Sequence, residues 1–145
     1  MYPVAIAKVV QTMGGGRVLG ASPGSVGELA EAVAKGLPRE VANEVAAHAT
    51  TDRDMQKRLR NLVVPPASYK RSPVLSPSSS QKAERLARIT ALAQTAFGDA
   101  QEAQAWLTHP HALFGDRAPI EVSITELGAR QVERVLLNIQ YDLPV

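Results

Sequence analysis

Between Arg53 and Arg88, nine lysines and arginines (Arg53, Lys57, Arg58, Arg60, Lys70, Arg71, Lys82, Arg85 and Arg88) face only two acids, Asp54 and Glu84, for a local net charge of +7. The flanks are acidic, −1 over residues 1–52 and −4 over residues 89–145, so the formal charge of +2 conceals a basic centre. Cations at this density can displace the counterions of a polyphosphate backbone. They point to a polyanion as the partner of the middle and to a different partner for the C-terminal end. A solvated basic face without a partner produces the same count, and charge alone leaves both readings open.

Other chemistry is scarce. His109 and His111 put two imidazoles close together, but the third histidine is the distant His48, and a catalytic zinc usually takes three protein ligands. Gly15 and Gly20 have the spacing of a phosphate-binding loop, yet Ala21 stands where the phosphate-gripping lysine belongs. No Ser-His-Asp arrangement stands out, and paired acids are as easily helix caps. No catalytic residue, metal or cofactor is expected, and a stoichiometric inhibitor needs none. The chain has no cysteine, no basic lead-in before its short apolar opening, and no run of roughly 20 apolar residues, so a cytoplasmic protein away from membranes is expected.

The elements that position the charges read as helices. Ala, Leu and Val supply most of a 45% hydrophobic content with only 4% aromatics, which suits an all-α fold. Six glycines in the first 27 residues predict an irregular lead-in, with residues 1–17 as an arm. Glu28 to Lys35 is strongly helix-forming and stops at Gly36. Pro38 opens a second helix to about Ala49 with Val41, Val45 and Ala49 as its stripe. Thr50 or Thr51 caps a third from about Asp52 to Leu62, with Met55, Leu59 and Leu62 inward, stopped by Pro65 and Pro66. Ser76 to Ser80 has the composition of a linker and equally that of a cap, with Ser79 or Ser80 leading a long helix to Gly98. Asp99 caps a helix to about Leu107, a turn-rich connector comes next, and Thr125 opens a last helix with Val132, Val135, Leu136 and Ile139 on one face.

The C-terminal third carries Ala96-Phe97-Gly98-Asp99, Ala103, Ala105-Trp106-Leu107, Pro110, Leu113, Gly115, Pro119-Ile120-Glu121, Thr125-Glu126-Leu127-Gly128-Ala129, Val132 and Leu136. In this order they closely resemble the Xre/MbcA/ParS toxin-binding domain. Upstream, Val18-Leu19-Gly20, Gly36-Leu37-Pro38, Leu75-Ser76 and Arg85-Leu86-Ala87-Arg88 look like that family's Xre-type helix-turn-helix domain. The resemblance implies an antitoxin that neutralises a RES-domain toxin, a class that destroys NAD, and that represses its own operon by binding operator DNA. It implies residues 18–84 as the DNA-binding domain and 85–145 as the toxin-binding domain.

On that basis Pro65 to Ser72 is the recognition element, with Ser68, Tyr69, Lys70 and Arg71 as its contacts. Arg71 suits a guanine edge, while Lys57, Arg58, Arg60 and Lys70 suit phosphates. Phe97, Trp106, Leu107 and Leu113 are expected in the core. The expected toxin contacts are His111, Phe114, Asp116, Arg117, Arg130, Gln131, Arg134 and the tail residues Tyr141, Asp142, Leu143 and Val145, with the tail free to cover the toxin's active site. Here the sequence departs from the family, which usually has glycine after the tyrosine where this chain has Asp142. Paired half-sites would strengthen a weak single DNA-binding module, which favours a homodimer. A transcriptional regulator or an interaction module with no toxin partner is the alternative.

Overall fold

The computed structural model describes residues 1–144 and, among them, contains ten α-helices, one 3-10 turn and no strand, the all-α class expected. None of these helices is long and apolar enough to cross a membrane. The first two helices, α1 (Ile6–Thr12) and α2 (Gly15–Leu19), replace the irregular lead-in that the glycine count predicts. Gly14, at φ 106°, and Gly15, at φ 69°, break the helical path between them, and a Cβ on Gly14 would collide with Val18. Val9, Val10 and Met13 are buried, and α1 packs on the long helix at residues 77–97, so apolar spacing outweighs glycine content.

Side-chain caps fix half of the helix starts. Ser25 accepts a hydrogen bond from the Glu28 amide and starts α3 (Val26–Lys35). The second predicted helix begins at Glu40 rather than Pro38, giving α4 (Glu40–Ala49). Pro38 instead forms an isolated antiparallel bridge with Val74. Asp52, not a threonine, caps α5 (Arg53–Val63) through the Asp54 amide. On α5 Leu59 and Val63 are buried, Met55 is partly buried and Leu62 is exposed, so the buried stripe is shifted off the predicted one. A short helix, α6 (Pro66–Arg71), is bounded by Pro65 and Ser72.

The run at residues 76–80 is neither linker nor late cap. Ser76 caps α7 (Pro77–Phe97) through the Ser79 amide, with Pro77 at the first helical position. Ser80 is fully buried because its hydroxyl accepts from the Leu37 amide at 2.9 Å. Ala83, Leu86, Ala87, Ile89, Thr90, Ala91, Leu92 and Ala93 are all buried, which is apolar surface on every side of the helix. The remaining helices are α8 (Ala100–Thr108), α9 (Pro119–Val122) and α10 (Glu126–Gln140), the first capped by Asp99 and the last by Thr125, as predicted. Around α7 pack α1, α3, α4 and α5 from the N-terminal side and α8, α9 and α10 from the C-terminal side, in one continuous core.

A polar cluster joins the beginning of the chain to this centre. The Tyr2 hydroxyl donates to Glu84 Oε2 at 2.7 Å, and Arg88 lies 3.4 Å from Glu84 and 3.1 Å from Glu133. The Arg88 guanidinium also lies 5.9 Å from the centre of the Tyr2 ring. Burial, with the Glu84 charge beside it, pushes the Tyr2 hydroxyl far above the usual tyrosine range. Burial also raises the Glu133 carboxyl, against the pull of Arg88 and with help from the charges on Glu126 and Glu84.

Candidate functional site

Apart from the partly buried Lys82 on α7, the basic block divides into two populations. Arg85 and Arg88 turn inward: Arg85 Nε donates to the Ile124 carbonyl at 3.0 Å and Arg88 joins the cluster with Glu84 and Glu133. The outward population lies on α5 and α6, two helices joined only by Val64 and Pro65. Arg53, Lys57, Lys70 and Arg71 are exposed there. Asn43, Ala46, Ala47, Arg53, Lys57 and Arg60 help line a groove of about 450 Å³ between α4 and α5.

Not every predicted contact is free. Arg58 Nη2 donates to Glu121 Oε2 of α9 at 2.9 Å, so one predicted phosphate ligand already has an internal anion. Arg71 Nη2 donates to Ser68 Oγ at 3.3 Å within α6. Tyr69 is half-buried and fully engaged: its hydroxyl accepts from Asn43 Nδ2 at 2.7 Å and its carbonyl accepts from Arg39 Nη1 at 3.0 Å. The Arg39 and Arg60 guanidinium carbons lie 5.2 and 5.6 Å from the Tyr69 ring centre. Sequence reasoning places Tyr69 among the base contacts and passes over Arg39. No local signal marks its role toward Tyr69, which lies thirty residues further along the chain.

In the C-terminal third, Trp106 sits among Phe97, His111 and Phe114, at ring-centre distances of 5.9, 5.3 and 6.1 Å. The connector reverses two predictions. Phe114, expected as an exposed contact, is 6% accessible, and Leu113, expected in the core, is 57% accessible. The 3-10 turn Ala112–Phe114, closed by the His111–Arg117 bridge and a left-handed Gly115, sets which of these adjacent residues points inward. His111 is partly buried, with Nε2 3.3 Å from the Trp106 carbonyl oxygen, and its ring lies 5.6 Å from that of His109. Among the described residues no group of three histidines and acids could hold a metal ion. Asp116 and Arg117 are exposed at the tip of the connector.

The outer side of α10 is open. Arg130, Gln131 and Arg134 are exposed, as expected, and so is Leu127, 79% accessible and absent from the sequence prediction. Leu127 precedes these residues by three, four and seven positions, the spacing of one helical face, and that periodicity is the signal that could have found it. Exposed Tyr141 continues the face fourteen residues on. Arg130 is tethered to Glu126 at 3.2 Å. The tail is not free through Pro144. The Leu143 amide donates to the Asn138 carbonyl at 2.7 Å and Asn138 Nδ2 donates to the Pro144 carbonyl at 3.1 Å, which folds Asp142 and Leu143 back against the end of α10. Val145 lies outside the described residues.

Residues 92–141, which run from the second half of α7 to the end of α10, match the model of the antitoxin Xre/MbcA/ParS C-terminal toxin-binding domain. An antitoxin Xre from Pseudomonas putida is 34% identical over 84 residues, covering 55% of this chain and 53% of its own. The chain thus spans about half the length of that curated relative. The similarity is to Xre/MbcA/ParS-type antitoxins, in agreement with the motif order from Phe97 to Leu136.

Proposed function

We propose that this chain, whose C-terminal region is of the Xre/MbcA/ParS toxin-binding type, is an antitoxin that neutralises a RES-domain, NAD-consuming toxin by covering its active site. Residues 85–145 supply the toxin contact and residues 18–84 the contact to operator DNA. The observation that carries the reading is the match over residues 92–141. It is supported by the open side of α10, where Leu127 and Tyr141 bracket the exposed Arg130, Gln131 and Arg134. Apolar anchors with arginine between them are the composition of a protein interface rather than of an ordinary solvated helix face. Exposed Leu113, Asp116 and Arg117 of the connector are further candidate contacts, and the folded tail at Tyr141 to Leu143 follows α10.

The DNA assignment rests on Lys57, Arg60, Lys70 and Arg71 across α5 and α6, and the partner arrangement includes a homodimer. Neutralising about four phosphates per subunit gives a log–log salt slope of about −3.6. The test of the toxin reading is co-expression with the product of the adjacent gene, size-exclusion chromatography, and an NAD-consumption assay on that product with and without this chain. A stable complex that stops NAD loss is expected, and removing residues 141–145 should weaken the inhibition. A product that neither binds this chain nor consumes NAD overturns the reading and leaves a DNA-binding regulator.

A further inference from the structure

The helix that carries Lys70 and Arg71 packs against the core through the partly buried Tyr69. It is six residues long and buries no side chain, whereas an isolated helix of that length does not persist in water. Its attachment runs through Tyr69, the half-buried residue at its centre. Tyr69 is gripped from α4 and the residue before it in three ways: Arg39 Nη1 bonds its carbonyl, the Arg39 guanidinium lies over its ring, and Asn43 Nδ2 bonds its hydroxyl. Arg60 of α5 lies over the same ring. The Arg39 backbone amide also donates to the Pro73 carbonyl at 3.0 Å, just beyond the end of the helix. One residue therefore holds the middle of α6 and the chain leaving it.

Resting on the DNA-binding assignment above, we propose that Arg39, with Asn43, is a positioning residue for DNA recognition: it clamps Tyr69 and so sets the pose in which α6 offers Lys70 and Arg71. Arg39 acts through Tyr69 in this proposal: its guanidinium Nη1 is directed at the Tyr69 carbonyl and its Nε at Glu40, 3.3 Å away. Tyr69 is the gripped element and not a base reader. A planar guanidinium can bond a carbonyl and stack on a ring at once, which a lysine ammonium on a flexible stem cannot reproduce.

Arg39→Lys therefore separates the clamp from a simple charge effect. The full chain and its variants would be titrated, over a series of salt concentrations, with a duplex of the promoter upstream of its own gene and a scrambled duplex of equal length. Amide hydrogen exchange would be followed at residues 67–71. Arg39→Lys is expected to weaken promoter binding about tenfold and scrambled binding less than about twofold, with an unchanged salt slope and faster exchange in α6. Tyr69→Phe, which loses only the Asn43 bond, should weaken promoter binding about threefold. Lys70→Gln, by contrast, should weaken both duplexes and reduce the slope by about 0.9. Promoter affinity unchanged in Arg39→Lys, or an equal loss on both duplexes, overturns the proposal. Wild-type protein that binds neither duplex refutes the DNA assignment instead, and the clamp is then refuted separately if α6 exchange in Arg39→Lys matches wild type.

Discussion

Gly128, at the third position of α10, meets the chain where Thr125 Oγ accepts its amide hydrogen bond and the Val122 carbonyl passes directly behind it. A Cβ would collide with that carbonyl. Glycine to alanine normally favours a helix by about 1 kcal/mol, so the sign of Gly128→Ala is diagnostic. A loss of about 2–3 kcal/mol in denaturant unfolding is expected, since the helix start must shift and its cap is disturbed. A gain would show that α9 and α10 can separate without cost. Glu133 offers a second residue-scale prediction. Its folded pKa is raised, so its contribution to stability is fully present below the unfolded value and is lost as pH rises through the folded one. The neutral Glu133→Gln variant should thus melt close to wild type in mild acid and no lower than wild type at pH 8. A lower melting point at pH 8 would mean that the attraction to Arg88 outweighs the burial of the carboxylate.

At the scale of elements, the readable ones are those whose information is local. The caps at Asp99 and Thr125 and the stop at Gly36 act within one turn, and α3, α8 and α10 result from them. The unreadable ones depend on distant partners. Ser80 reads as a linker or cap residue until Leu37, forty-three positions earlier, supplies the amide that buries it. The inward turn of Phe114 and the outward turn of Leu113 come from a 3-10 geometry that helical periodicity does not anticipate. The candidate sites divide along the same line. Exposed Lys57, Lys70 and Arg134, and Arg71 and Arg130, whose partners Ser68 and Glu126 lie within their own helices, are legible because no other helix claims them. The capture of Arg58 by Glu121 and of Tyr69 by Arg39 arises only when separate helices meet.

For the whole molecule the governing feature is that α7, 21 residues and about 31 Å long, is core to both groups of helices. No extended segment stands between the helices assigned to DNA and those assigned to the toxin. Arg58–Glu121 and the bond from Gln104 Nε2 to the His48 carbonyl at 3.1 Å also tie the groups directly. Unfolding should therefore be a single transition, with Trp106 fluorescence, which reports on the C-terminal helices, coinciding with far-UV circular dichroism. Two separated midpoints would mean that the halves are independent. A shared helix also governs turnover. A protease that needs a stretch of unfolded chain finds no hinge at which to clip one activity from the other, and opening α7 exposes both halves at once. Repression and neutralisation, the two proposed activities, therefore have one lifetime in the cell, and whatever unfolds α7 ends both.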